Sequence, residues 1–366
     1  MKASLLPPAL AFALGRLVLF AAALRAFRRD GEALVSLEAW ARWDSLHYLD
    51  IAKDGYRLLS CADVPGYAPQ DWCGNTGWFP GYPSLIRLLL LAGCPAVPAA
   101  VLLSGAFAFL TLHALWTRFL DCRLERGPLL ALALAAVAPG AVYQHAAFPI
   151  SMLLFFQIRA LDAIARERFV AAGLWGAAAA FTYPSGVLVA AVIVAHGLFR
   201  KRAPREILLP ASLTALGFAL VLLLHQLAVS DWQAFFKVQR KYGFSLRWPQ
   251  QTLADRLAPL AADGTLFPTL QTLLVASLML AMLVALALRW RRLGASDTLV
   301  SLHALVYWLS PLVLGGGLSL HRAEALLMPA AVLTRRLPAP AQWGLLLALA
   351  LTALRVGARF FRGVLV

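Results

Sequence analysis

Apolar runs near twenty residues long recur along the whole chain, and short charged connectors separate them. Runs of that length, without strict alternation, predict helices that cross a bilayer rather than strands. The spans fall at about 7–24, 96–118, 128–147, 149–165, 169–182, 184–199, 207–228, 267–288, 297–316, 322–334 and 341–357, about eleven in all. Two polar segments interrupt them, at about 25–95 and about 229–266. The N-terminal run has the charged start and small-residue end of a signal peptide. Arg16 splits it, however, and many spans follow, so it reads as an uncleaved first transmembrane helix. No internal repeat, low-complexity tract or soluble boundary is visible. The expectation is an all-α polytopic membrane protein, with residues 1–366 as one integral membrane domain.

Composition strengthens this picture. Hydrophobic residues make up 61% of the chain and charged residues only 14%, far from a soluble domain of this length. The net charge of +15 would suggest nucleic acid in a soluble protein. Here no basic stripe is interleaved with aromatics on a polar surface, so no nucleic-acid partner is expected. The basic residues instead crowd the connectors "RLER", "RER", "RKRAPRE", "RWRR" and "RR". Such connectors belong on the cytoplasmic side. The two long polar segments then lie on the opposite, extracytoplasmic side, as first and second outer loops. The expected location is the cell inner membrane, with the functional face towards the periplasm.

The stretch "ARWDSLHYLDIAKDGY", Ala41 to Tyr56, is unusual in so apolar a chain. Asp44 stands as N-cap before a helix that Gly55 closes at C′. His47, Ile51 and Asp54 share one face of this amphipathic helix, which suits a membrane surface. Trp40, Trp43 and Tyr48 suit the headgroup level. Asp44 as a mere cap and the aromatics as mere anchors is a complete alternative reading. A second interfacial helix is expected in "GWFPGYPSLIRLLLLAG", Gly77 to Gly93, with Arg87 in its middle. Two such helices make a platform suited to a lipid substrate. Cys61 and Cys73 can pair as a disulfide if this segment faces an oxidising compartment; two free thiols are the alternative.

The motif residues Arg42, Trp43, Asp44, His47, Tyr48, Ile51, Ala52, Gly55 and Tyr56, followed by Phe79, Pro80, Tyr82 and Pro83, resemble the signature of the PIG-V family of GT-C glycosyltransferases. Its eukaryotic members add the second mannose in GPI-anchor assembly. Looser echoes follow: "FPISMLLFF" at Phe148 without the family's Glu after the Ser, "TYPSG" at Thr182 without its Arg, "DWQAFFKVQRKYG" at Asp231, and "SLHRAEALLMP" at Ser319 with Ala323 in place of Tyr. The alanine- and leucine-rich style points to a bacterial member. The resemblance implies a GT-C fold, a polyprenyl-phosphate sugar donor, inverting chemistry at an extracytoplasmic site, and a mannosyl transfer. It also implies an acidic catalytic base in the first outer loop, the position that Asp44 occupies.

The residue chemistry fits that implication. A carboxylate can take the proton of an acceptor hydroxyl, and a helix N-terminus keeps it ionised. His47 is placed to orient the acceptor or assist the phosphate, with Arg42, Trp43 and Tyr48 as further substrate contacts. Arg322, beside His321 and just after the glycines at 315–317, is the best phosphate partner, since guanidinium matches phosphate geometry. Snorkelling, or pairing with Glu324, is its alternative. Lys237, Arg240 and Lys241 in the second outer loop either bind substrate phosphate or hold an interfacial helix on anionic lipid. Arg16, Arg159 and Asp162 are charges in or near spans with no assigned partner. The histidines lack metal-ligand spacing and the first outer segment has no Asp-x-Asp pair, so neither metal nor other cofactor is expected. The expected partners are a polyprenyl-phosphate sugar donor, a glycan, glycolipid or protein acceptor, and the bilayer. A lipid-linked-sugar transporter or flippase is the rival function, although no inverted repeat supports it.

Overall fold

The computed structural model describes residues 5–30, 36–263, 269–289, 293–315 and 320–364. Gly316, Gly317 and Ser319, noted above, lie outside them. The chain is a multispanning helical bundle. Among the described residues, six helices are long and apolar enough to cross a membrane: Leu6–Phe27, Ala96–Arg118, Pro204–Val229, Leu270–Leu288, Ala295–Leu314 and Ala339–Phe361. In chain order the helices are α1 (Leu6–Asp30), α2 (Asp44–Asp54), α3 (Gly81–Leu91), α4 (Ala96–Arg118), α5 (Arg126–Ala136), α6 (Ala141–His145), α7 (Ile150–Ala165) and α8 (Phe169–Thr182). They continue as α9 (Leu188–Phe199), α10 (Pro204–Val229), α11 (Ala234–Arg240), α12 (Pro249–Asp263), α13 (Leu270–Arg289), α14 (Ala295–Leu314), α15 (Leu320–Glu324) and α16 (Ala339–Phe361).

Five of the eleven expected spans differ. Those at 149–165, 169–182 and 184–199 are shorter helices of 16, 14 and 12 residues, the last after a 3-10 turn at Pro184–Val187. The other two are interrupted. Pro139 and Gly140 break the run at 128–147 into α5 and the short α6, with Gly140 left-handed at φ +66°. The run at 322–334 is mostly a 3-10 helix, Ala325–Arg336, that follows α15 and holds Pro329 inside it. Together α15 and this helix cover roughly 30 Å at the rises of the two helix types, enough to cross the apolar layer.

Small residues set the packing of the bundle. Thr214 of α10 fills the space beside Gly176 of α8, and the Ala177 carbonyl lies against Gly217. Without hydrophobic drive between helices in lipid, such close backbone approach provides much of the attraction. The basic connectors within the described residues gather at one end; the connector at 289–292 lies mostly outside them. There Arg335 and Arg336 pair with Asp297 at 2.6 and 3.5 Å, Arg118 and Arg166 pair with Asp162, and Arg202 pairs with Glu167.

The two long polar segments meet at the other end. In the first, α2 packs on α3, and Arg87 Nη1 donates to the carbonyls of Ala52 and Lys53 at 3.2 Å each. Arg87 thereby satisfies the exposed C-terminal carbonyls of α2 and complements its dipole. Between these helices lies a short antiparallel ladder, β1 (Leu58–Ser60) and β2 (Trp72–Gly74), in register Leu59 to Cys73. Helical periodicity alone did not predict it. Cys61 and Cys73 are joined by a disulfide with Cα atoms 5.1 Å apart. The second segment folds over the first: Thr76 Oγ1 donates to the Ala234 carbonyl at 3.1 Å, and Gln239 Nε2 to that of Gly77 at 3.3 Å. It then returns to the end of α14, where Arg247 N–H donates to the Val313 carbonyl at 2.8 Å.

Candidate functional site

Asp44 begins α2, but it does not cap it. The helix is entered through Trp43, and no side-chain cap hydrogen bond is made there. Trp43 has φ +47° and ψ −111°, a backbone conformation that a bulky residue adopts only under strain, at about 1–3 kcal/mol. Surrounding contacts hold it in place. The Trp43 ring packs edge-on against Phe360 at 5.2 Å, and Trp40 does the same on Phe361 at 4.9 Å. Arg42 Nη2 donates to the Phe361 carbonyl at 3.0 Å. Arg42, Trp40 and Trp43 thus fasten the start of α2 to the end of α16. Membrane anchoring at the headgroup level, expected for Trp40, Trp43 and Tyr48, gives way to packing within the protein: Tyr48 is buried and meets Tyr82 edge-on at 5.7 Å.

Released from capping, the Asp44 carboxylate pairs directly with Arg322. The two residues are 278 positions apart, and their side chains are 26% and 17% exposed. Glu324, the expected alternative partner, instead accepts from Gln271 Nε2 at 2.6 Å. Gln271 also accepts the Gly140 N–H at 3.2 Å, so α13, the Gly140 turn and α15 are tied together behind Arg322. Gly140 lies so close to the His321 carbonyl that a Cβ there would collide with it.

Several aromatics close around the pair. Arg322 lies over the Phe148 ring, 6.0 Å from its centroid, and hydrogen-bonds Tyr183. Burial pushes the Tyr48 phenol well above its ordinary value, with Tyr183 and Asp44 adding to the effect. Tyr242, from the second outer segment, is pushed up to about 12 by burial and by Asp44. His47, one turn beyond Asp44, stacks on Trp78 with centroids 3.6 Å apart. Burial holds the His47 imidazole below its ordinary value, favouring the neutral ring, while Asp44 and Asp50 oppose the shift.

The expected site residues therefore divide. Asp44, His47, Tyr48 and Arg322 come together. Arg42 and Trp43 are turned to α16. His321 contributes its backbone carbonyl, to which Gln271 Nε2 donates at 3.4 Å. Lys237 pairs with Asp231 and lies 5.0 Å over the Trp72 ring, and Arg240 is exposed at the end of α11. Lys241 is the better-placed cation. It lies 4.5 Å over the Tyr67 ring and 5.4 Å over that of Tyr242, and it acts electrostatically on His47. Tyr183, Tyr242, Phe148 and Trp78 were not singled out from the sequence as site residues. Phe148, Tyr183 and Tyr242 did lie within the looser motif echoes. Among the described residues, no group of three or more His, Cys, Asp or Glu comes together as a metal site would need.

No family model matches the chain, and no curated protein matches it in sequence. Among solved structures, the oligosaccharyltransferase of Archaeoglobus fulgidus, crystallised with a tethered acceptor peptide containing the NVT sequon, is similar to it. The likeness covers 95% of this chain and 55% of that one, at 14% identity and a TM-score of 0.47. The chain spans about half the length of that neighbour.

Proposed function

We propose that this chain is a membrane glycosyltransferase of the GT-C class, similar to the PIG-V family, that moves a sugar, mannose by that resemblance, from a polyprenyl-phosphate donor to an acceptor hydroxyl. The observation that carries the reading is the meeting of Asp44 and Arg322, two residues that the sequence marked for base and phosphate roles independently. A carboxylate and a guanidinium side by side are what such a transfer needs. The acceptor oxygen forms a bond to the anomeric carbon as the bond to the phosphate oxygen breaks. The hydroxyl proton passes to Asp44, and the departing phosphate gathers charge that Arg322 neutralises.

In the free protein Arg322 is the counter-ion of Asp44. When the donor phosphate takes the guanidinium, the carboxylate becomes available to the acceptor. Tyr48, Tyr183 and Tyr242 wall the pair, and neutral His47 on Trp78 offers a ring nitrogen towards the acceptor. Lys241, from the second outer segment, adds positive charge near His47. The polar end of the bundle faces the extracytoplasmic side in this reading, as the opposite, basic end suits the cytoplasm. The acceptor is a glycan, glycolipid or protein. Incubating purified protein with a radiolabelled polyprenyl-phosphate mannose and membrane extract tests the reading. Label moving into a new product supports it; donor carried across vesicles without cleavage would instead make the chain a transporter.

A further inference from the structure

A cation near the middle of an apolar helix is costly unless something neutralises it. Arg16 stands near the middle of α1, on the flank of a stripe formed by Leu10, Leu17 and Phe20, which are 61%, 65% and 48% exposed. On a membrane-spanning helix such a stripe faces lipid. Arg16 enters no ion pair and no hydrogen bond among the described residues. Its guanidinium lies 5.4 Å from the Phe12 ring centroid and 5.2 Å from that of Trp40. It rests on α4 at Gly105, where a Cβ would stand 2.6 Å from Nη2.

A second unpartnered group lies beside it. His145 is 1% exposed and its Nδ1 has no hydrogen-bond partner. Its ring is 5.4 Å from that of Phe12, so Phe12 touches both His145 and Arg16. A Cβ on Gly15 would lie 3.3 Å from His145 Nε2. Trp40 belongs to the first outer segment and precedes Asp44 by four residues. Its reach to Arg16 sets the guanidinium where that segment meets the bundle.

We infer that Arg16, with His145 and Trp40, forms a lateral docking site for the phosphate of a membrane lipid, entered from the bilayer between α1 and α4. The chemistry follows from the lining. A guanidinium without counter-ion and an imidazole whose Nδ1 has no partner call for an oxyanion. Aromatic walls exclude water and strengthen the contact. Arg16 is only partly buried beside the lipid-facing stripe, within reach of an anion that carries an apolar tail. The site goes beyond sugar transfer, since it binds whether or not chemistry follows.

Native mass spectrometry of the full protein in detergent tests it, in an Arg322→Ala background so that the Asp44 site does not contribute. The probes are undecaprenyl phosphate, dioleoyl phosphatidic acid and inorganic phosphate. Either or both lipids should bind, and inorganic phosphate at the same concentration should not. Preference between the two lipids reads whether the tail is polyprenyl or diacyl. Arg16→Gln should weaken the lipid on the order of tenfold to a hundredfold, the usual loss for a charge-assisted phosphate contact. Arg16→Lys should recover part of it. Gly105→Ala, which displaces the guanidinium without removing it, should also weaken binding. Lipid retention unchanged in Arg16→Gln, or inorganic phosphate bound as well as the lipids, overturns the inference. Should Arg16→Gln fold poorly, Arg16→Leu, which suits an apolar helix, replaces it, and a folded Leu variant that still retains the lipid also overturns it.

Discussion

Replacing Asp44 with Asn separates a base from a counter-ion. The structure removes one complication: Asp44 makes no cap hydrogen bond, so the loss of about 1 kcal/mol expected for a cap does not apply. What remains is the pair with Arg322, whose side chains are 26% and 17% exposed. A hydrogen bond to a charged group contributes about 1.5–3 kcal/mol and a neutral one about 0.5–1.5. The Asn amide oxygen still accepts from Arg322, so stability should fall by only about 1 kcal/mol. Asn cannot take a proton, so kcat should fall by about 10²–10⁴. Donor KM should hold or decrease, because Arg322 no longer divides itself between carboxylate and phosphate. Transfer kinetics with a radiolabelled donor, beside thermal unfolding in detergent, gives all three quantities. An Asn variant with near wild-type turnover would refute the reasoning. Asp44 would then be only a counter-ion, and the base would have to be sought at Asp50, Asp54 or Glu38.

Four further outcomes are expected. Arg322→Ala should raise donor KM roughly tenfold to more than a hundredfold in initial-rate assays, with Arg322→Lys recovering only part because an ammonium lacks the two-pronged fork. Removing the Cys61–Cys73 bridge, whose cysteines are 12 residues apart, should lower stability by about 3 kcal/mol from loop entropy; an equal unfolding midpoint with and without reductant would contradict this. Gly140→Ala, at φ +66° and against the His321 carbonyl, should lower both stability and kcat, because it pushes α15 and Arg322 from Asp44. Because burial holds His47 below its ordinary value of 6.5, the unfolded chain binds its proton first on acidification. The His47 contribution is therefore complete above pH 6.5 and is lost as pH falls below it; His47→Gln should flatten that part of the stability profile.

The long spans were legible because a bilayer imposes length and apolarity on every helix that crosses it, and those constraints leave a plain trace in sequence. The interruptions were less so. Pro139 and Gly140 were visible, but a run of apolar residues on both sides hid the break that sets Gly140 behind Arg322. The 3-10 helix at Ala325–Arg336 carries residues that read equally well as an α-helix, and the three-residue strands beside the disulfide are too short for any alternation to register.

The candidate site shows the same division more sharply. Charges could be picked out because an apolar chain has few of them, so Asp44 and Arg322 stood out one by one. Their meeting was not legible, since it depends on closing the bundle across 278 residues. Tyr48, Tyr183 and Tyr242 come from the first outer segment, the turn after α8 and the second outer segment, and they share the surroundings of that pair. Among so many apolar residues each looks like a lipid-facing or interfacial ring. Only the tertiary arrangement turns them inward. The strained Trp43 adds the final step. Its backbone cost is met by its own contact with Phe360 and by those of Trp40 and Arg42 with Phe361 on the last helix, while Arg322 arrives on α15, separated from that helix by the 3-10 helix. The C-terminal part of the bundle thus supplies both the phosphate-binding cation and the packing that aims the N-terminal carboxylate. Loosening α16 at Phe360 should therefore disturb Asp44 as surely as a change in the first outer segment.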